Sequence, residues 1–287
     1  MPGKIRFAPS PTGYLHEGHL LSALYVWAAA KKWGLQIHLR IEDHDQGRAR
    51  PEHIAAIWED LRWLGFEWQS ESIQSAHFDT FEAVLKKLQN RRLVYPCYCS
   101  RKELEEQNPK NEYGEIIYQG HCNGRPPTDA PHSLRIKILD KVIKWHDLRL
   151  GDYAENPKLQ CGDFPLKDRL GCYTYQFAVC VDDINEGITH VVRGEDLLPS
   201  TARQIALMEI LGRPTPPKYL HHPLLVDSSG KKLSKREKSH SIREDRDAGV
   251  SPQELLGRVL HKAGFLGPSE PASTSLEKAL ELVAARL

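Results

Sequence analysis

"RFAPSPTGYLHEGHL", Arg6 to Leu20, places Pro9, Pro11, Gly13 and two histidines between an apolar stub and a helix-like run. The preceding "KIRF" reads as a strand, so the stretch is a strand that breaks in a Pro-Gly loop and restarts as a helix. That is how a parallel α/β unit begins. In an open parallel sheet, ligands bind at the carboxyl ends of the strands, where loops run into helix N-termini whose free amides and dipole favour anions. His16 and His19 sit three residues apart and can face one site. Gly18 between them lets a ligand approach the backbone.

Outward from this turn, the spacing predicts a helix from about Gly18 to a stop at Gly34, then a strand in "LQIHLRIED". The next helix opens at Pro51, carries Ile54, Trp58, Leu61 and Leu64 at three- and four-residue spacing, and stops at Gly65. Strand, helix, strand, helix implies a parallel sheet. From about residue 95 to 171 that rhythm fails. Clustered cysteines, Pro126-Pro127 and two strand-like runs, "SLRIKI" and "KVIKWHDLRLG", mark an insertion. The alternation resumes with "TYQFAVCVDD" and "GITHVVRG" as expected strands, "STARQIALMEILG" as a helix, and "YLHHPLLVD" ahead of a Ser-Ser-Gly turn. Ser251-Pro252-Gln253-Glu254 matches a capping box, and "SLEKALELVAARL" has helical spacing. The expected fold is α/β, a Rossmann-type parallel-sheet catalytic body over 1–240. It carries the insertion at about 95–171 and a short helical segment over 241–287.

The chain has 287 residues with 39 Lys+Arg against 38 Asp+Glu, so a net charge of +1 excludes any global pull toward polyanions. Polyanion binding must come from local patches. One is "GKKLSKRE", Gly230 to Glu237, which sets Lys232, Lys235 and Arg236 around Ser234. Alone, it is also the pattern of a solvated basic face, as two histidines in a turn are of an ordinary surface. No basic-then-apolar leader opens the chain and no apolar stretch is long enough to span a bilayer. A cytoplasmic protein with no membrane partner, acting as a monomer, is the expectation. Six cysteines in a reducing compartment point to buried thiols or metal ligands before disulfides.

Together, His16-Glu17-Gly18-His19 and Lys232-Leu233-Ser234-Lys235-Arg236 resemble the two signature motifs of class I aminoacyl-tRNA synthetases. "RFAPSPTGYLHEGH", "RIEDHD" and "GITHVVRGEDLLPST" are similar to the glutamyl branch of that class. The likeness runs over about residues 1–246, with Glu17 in place of an apolar residue and Arg236 in place of a serine. The resemblance implies ATP, entering with Mg²⁺, held by His16, Gly18, His19, Lys232, Ser234 and Lys235. His16, His19 and Lys235 would be the catalytic groups. It implies L-glutamate lined by Arg6, Ala8, Ser10, Glu42, Tyr175 and Arg193. Glu42 would receive the ammonium, and Arg6 and Arg193 the carboxylates. Val179 stands where that branch has a substrate-contacting asparagine, so weaker glutamate binding is expected. The chemistry needs no protein nucleophile: a carboxylate attacks the α-phosphorus of ATP, and positioned donors stabilise charge on the phosphates.

Cys97, Cys99 and Cys122 give three thiols, one short of a tetrahedral zinc set, within the insertion. From chemistry alone His121 is the candidate fourth ligand. The resemblance, to truncated paralogues of the glutamyl branch, implies Tyr118 instead, with one structural Zn²⁺ held by Cys97, Cys99, Tyr118 and Cys122. Only about fifty residues follow Arg236, too few for an anticodon-reading module. The truncated paralogues activate glutamate without tRNA and transfer it to the cyclopentene-diol of queuosine in the anticodon loop of tRNA(Asp), so the resemblance implies that RNA as the partner. Three other readings stay open: charging of a tRNA 3′ end, a nucleotidylyltransferase acting on a small molecule, and a non-catalytic RNA platform.

Overall fold

The computed structural model describes residues 2–225 and 240–287. The chain runs β1 (Lys4–Phe7), α1 (Glu17–Trp33), β2 (Gln36–Ile41), α2 (Pro51–Trp63) and β3 (Ser70–Ile73). A 3₁₀ turn leads to α3 (Phe78–Asn90), β4 (Val94–Cys97), α4 (Arg101–Gln107) and β5 (Ser133–Ile136). There follow β6 (Ile143–Asp147), β7 (Gly151–Glu155), α5 (Pro157–Gln160) and β8 (Pro165–Lys167), then α6 (Tyr175–Asn185), β9 (His190–Gly194), α7 (Thr201–Ile210) and β10 (Lys218–His222). After the undescribed stretch come α8 (Ile242–Asp247), α9 (Pro252–Lys262) and α10 (Leu276–Ala284).

Among the described residues the main sheet has the order β3-β2-β1-β9-β10-β6-β7, parallel except for the β6–β7 hairpin. The chain builds outward from β1 through β2 to β3, and β9 then pairs the other edge of β1. That reversal is the topological switch point, and it leaves a crevice beyond the ends of β1 and β9.

Two expectations from the sequence need correction. "TYQFAVCVDD" is not a strand but α6. Its unbroken apolar run, Phe177 to Val181, is buried, and such a run fits a buried helix as well as a buried strand. Helical spacing is what aims Tyr175, Asp183 and Glu186 at the sheet while Asp182 meets Gln74 and His77. The stretch 95–171 is also not one separate unit. β4, β5 and β8 form a small antiparallel sheet, whereas β6 and β7 extend the main sheet beyond β10.

The tail docks on the body rather than hanging from it. Leu255, Leu256, Val259 and Leu260 of α9, with Ala279 and Val283 of α10, share one apolar core with Leu20, Leu24 and Ala28 of α1. Each fully buried Leu or Val contributes about 1.5–3 kcal/mol relative to exposure, so this seam is a principal bond between the ends of the chain. Gly257 sits inside α9 because the returning loop crosses it: a Cβ there would lie 2.1 Å from the Ala272 carbonyl oxygen. An alanine in place of a mid-helix glycine ordinarily stabilises by about 1 kcal/mol. Here the sign reverses. Gly257→Ala is expected to lower the urea midpoint of the full chain, and a raised midpoint would show that the loop does not press on the helix.

Candidate active site

The histidine turn is a helix cap. His16 is the N-cap of α1, its Nδ1 accepting the Gly18 amide at 3.1 Å, while the Nδ1 of His19 accepts the His16 amide at 3.1 Å. The two rings lie 3.9 Å apart. With both Nδ1 atoms used as acceptors, a neutral ring carries its proton on Nε2, so each histidine is an Nε2–H donor at a helix N-terminus. Gly18 leaves room for the His16 ring, since a Cβ would meet His16 Cε1 at 2.9 Å and push the ring from its cap position. The chain beyond the undescribed stretch is stitched to this turn. Ser241 bridges His16, and the Ile242 amide donates to the Leu15 carbonyl at 2.8 Å.

Glu17 has a definite partner set. Its carboxylate is buried and receives Arg258 Nε at 2.7 Å and Lys262 Nζ at 2.6 Å, both from α9. Arg258 also pairs with Asp245 of α8. The departure from an apolar residue therefore joins the histidine turn to the C-terminal helices and suits the helix dipole.

At the switch point lies a cavity of about 120 Å³ lined by Arg6, Phe7, Ala8 and Pro9 after β1, His19 and Ser22 of α1, Glu42 after β2, Tyr175 of α6, and Val192, Arg193, Gly194 and Leu197. Two guanidiniums and one carboxylate converge there, beside one histidine of the turn. Both arginines are held from behind. Arg6 Nε donates to Asp183 Oδ1 at 3.1 Å. Asp183 in turn accepts from Arg40, which also donates to Glu42 at 3.1 Å and to Glu186 at 2.7 Å. Arg40 is fully buried. Burial opposes its charge, but Asp183, Glu42 and Glu186 more than offset that and hold it protonated.

Arg193 is fixed differently. Its Nε donates to His221 Nε2 at 3.0 Å, Nη1 to Gln204 at 2.7 Å, and Nη2 to Thr201 at 2.8 Å. His221 Nδ1 lies 2.7 Å from Asp147 Oδ2. Burial, helped by the Arg193 charge and against the pull of Asp147, brings His221 down to about 4. Asp147 is held low despite burial by His221 and the amides of Leu150 and Arg149.

The structure therefore brings together Arg6, Ala8, His19, Glu42, Tyr175 and Arg193 around one cavity, with His16 and Gly18 in the adjoining turn. Ser10 is half-buried and not among the lining residues. Val179 packs in the apolar cluster under α6 and does not line the cavity. Lys232, Ser234 and Lys235 lie outside the described residues. Sequence reasoning missed Arg40, Asp147, Asp183, Thr201, Gln204 and His221. Arg40, inside "RIED", and Thr201, at the end of "GITHVVRGEDLLPST", had a local signal; the others act across the fold and lie outside those stretches.

The three cysteines also converge. The Sγ atoms of Cys97, Cys99 and Cys122 lie within 4.8 Å of one another. The Tyr118 hydroxyl is 3.4 Å from Cys97 Sγ and 4.0 Å from Cys99 Sγ, and it accepts the Cys122 amide at 2.9 Å. Tyr118 is buried under the Arg135 guanidinium, 3.9 Å from the ring centre, whereas His121 is exposed. Burial pushes the Cys99 thiol up to about 12. Cys122, also opposed by burial, is drawn down to about 6 by hydrogen bonds from the Tyr98 amide, Tyr118, Cys99 and Arg125. Three sulfurs, one held toward the thiolate, and a phenol oxygen are a donor set that fits a soft divalent ion such as zinc.

Comparison with known proteins finds one family and several close relatives. The family described as tRNA synthetases class I (E and Q), catalytic domain, matches residues 4–270. The chain is 39% identical over 285 residues to a glutamyl-Q tRNA(Asp) synthetase of Nitratidesulfovibrio vulgaris, covering 91% of this chain and 86% of that protein. It is 41% identical over 271 residues to one of Geobacter sulfurreducens, covering 93% and 85%. Among solved structures, the glutamate-tRNA synthetase from Elizabethkingia anophelis superposes with a TM-score of 0.79 at 27% identity, covering 99% of this chain. This chain spans 66% of that protein, just under two thirds of it. No helix among the described residues is long and apolar enough to cross a membrane.

The Arg40 network carries a pH signature. Glu186 is opposed by burial but held down to about 2 by His38, Arg40 and Ser72. A carboxylate depressed on folding contributes stability that is complete above its unfolded value near 4.3 and lost as pH falls toward 2. Glu186→Gln is expected to cost about 2–3 kcal/mol at neutral pH. It should also flatten the acid limb of the unfolding free energy between pH 4.5 and 2. An unchanged acid limb would remove Glu186 from the network's energetics.

Proposed function

The chain belongs to the glutamate and glutamine family of class I tRNA synthetases, and from that premise we propose that it is a ligase with two half-reactions. It activates L-glutamate with ATP, without tRNA, and transfers the glutamyl group to queuosine in the anticodon loop of tRNA(Asp). The observation that carries the reading is the cavity at the switch point, where Arg6, Arg193 and Glu42 face one small volume beside His19. An acidic amino acid presents two carboxylates and one ammonium, and this cavity presents two guanidiniums and one carboxylate.

In this reading Glu42, oriented by Arg40, receives the ammonium, and Arg6 and Arg193 take the carboxylates. The glutamate carboxylate attacks the α-phosphorus of ATP, the bond to pyrophosphate breaks, and charge gathers on the phosphate oxygens. ATP would enter with Mg²⁺, which would supply neutralisation of the charge on the phosphates. His16 and His19 donate from Nε2, and the Lys232, Ser234 and Lys235 motif meets the pyrophosphate. The adenylate is then attacked by a hydroxyl of the queuosine diol, and AMP departs. Cys97, Cys99, Tyr118 and Cys122 would hold one zinc in a structural role, stiffening the lobe built on β4. The chain's 241–287 helices and that lobe would flank the RNA stem and meet its phosphates.

Two experiments test this reading. His19→Ala is expected to suppress glutamate-dependent pyrophosphate exchange about 100-fold or more, the loss typical of one transition-state donor. With the wild-type protein, labelled glutamate should enter queuosine-bearing tRNA(Asp) from which the terminal ribose has been removed, but not queuosine-free tRNA(Asp) or tRNA(Glu). Label that requires an intact terminal ribose would mean 3′-end charging and would sink the transfer reading. Metal analysis tests the zinc set: Tyr118→Phe should lose zinc and His121→Ala should keep it, and the opposite pattern would make His121 the fourth ligand.

A further inference from the structure

Arg193 differs from the other cationic group of the cavity in what stands behind it. Arg6 is backed by a carboxylate, Asp183. The three partners of Arg193, namely His221, Gln204 and Thr201, are side chains without formal charge when His221 is neutral. A guanidinium has five N–H donors, and these contacts use three, leaving one N–H on each terminal nitrogen. Neutral acceptors thus set the orientation of the group and leave its charge to a ligand anion.

His221 can serve as that acceptor in only one form. Its Nε2 faces the Arg193 Nε–H at 3.0 Å and the Thr201 hydroxyl at 3.2 Å, and a proton on Nε2 would point directly at the Arg193 donor. The proton must therefore reside on Nδ1, where Asp147 Oδ2 accepts it at 2.7 Å. The ring is fully buried, so water does not compete for either nitrogen. Asp147 is itself fastened: Oδ1 accepts the Arg149 and Leu150 amides at 3.0 and 2.9 Å, and Oδ2 also accepts the His221 amide at 3.0 Å. The pairing of β6 with β10 places the two residues together.

We propose that Asp147 and His221 form a positioning relay that fixes the tautomer of the imidazole and, through it, the orientation of the Arg193 guanidinium toward a substrate carboxylate. The proposal rests on the assignment of the cavity to glutamate. It makes Asp147 and His221 determinants of amino-acid affinity although neither lines the cavity.

The relay is tested with the full-length protein in glutamate-dependent exchange of pyrophosphate into ATP, with KM measured separately for glutamate and for ATP. His221→Asn keeps a donor for Asp147 but loses the acceptor for Arg193. It is expected to raise the glutamate KM about tenfold or more, the scale of a lost hydrogen bond to a charged group, while the ATP KM stays within about twofold. His221→Gln places an amide oxygen near the former Nε2 and should restore the glutamate KM to within about threefold of wild type. Asp147→Asn, which offers an N–H to Nδ1 and drives the proton onto Nε2, should behave as His221→Asn does. Equal rises in both KM values for all three variants, or variants too unstable to assay, would mean that the pair only supports the fold. Unchanged glutamate KM in His221→Asn and Asp147→Asn overturns the relay, provided Arg193→Lys raises it. If Arg193→Lys also leaves the glutamate KM unchanged, the glutamate site itself is wrongly placed, and the relay falls with it.

Discussion

A single buried cation organises this molecule. Arg40 has no exposed side-chain surface, so its charge must be met inside the protein by anions with good geometry. Three carboxylates meet it, from Glu42 at the end of β2 and from Asp183 and Glu186 at the far end of α6. The guanidinium is planar with donors in fixed directions, so three partners at once fix the distance and rotation between strand and helix. Removing the guanidinium would strip three buried carboxylates of the cation they share, a loss far larger than the net stabilisation of the pairs. Arg6 hangs from the same Asp183, so the cation that locks the fold also sets one wall of the cavity.

The cavity is built by neutralising some charges and preserving others. Glu42 is oriented by Arg40 and Arg6 by Asp183, both through ion pairs, whereas Arg193 is oriented by groups that take nothing from its charge. A small volume at the carboxyl end of a parallel sheet thereby holds fixed partners of both signs, the arrangement an acidic amino acid requires. The histidine turn beside it follows a similar logic. Backbone amides occupy both Nδ1 atoms and so orient both rings as donors at the point where the helix dipole favours phosphate.

The two ends of the chain meet at that turn. Glu17 is clamped by Arg258 and Lys262, Ser241 bridges His16, and α9 and α10 close over α1 in one apolar core. The histidines are therefore presented by a helix whose N-terminus is held by residues about 240 positions away in sequence. The small antiparallel sheet faces two ways: Ile136 and Leu166 pack into the apolar cluster of α3 and α6, while Tyr95 and Cys97 join the convergent cysteines and Tyr118.

What the sequence determined by itself is what short-range physics encodes. Alternating apolar periods read as β1, α1, β2 and α2, the capping box at Ser251 marked α9, and the His16 to His19 turn marked the start of α1. Arg6, Glu42, Tyr175 and Arg193 were legible because they lie in stretches similar to one family's motifs, and the fold gathers them as that similarity implies. Tertiary structure alone decided that the apolar run at Phe177 is helical, that β6 belongs to the main sheet, and which groups orient the arginines. Arg40 meets Asp183 across 143 residues, and His221 meets Asp147 across 74. Neither pair leaves a periodic or motif signature, because a buried hydrogen bond depends on where two distant segments are brought together. Only packing of the whole chain creates the low-dielectric interior in which such a pair must form.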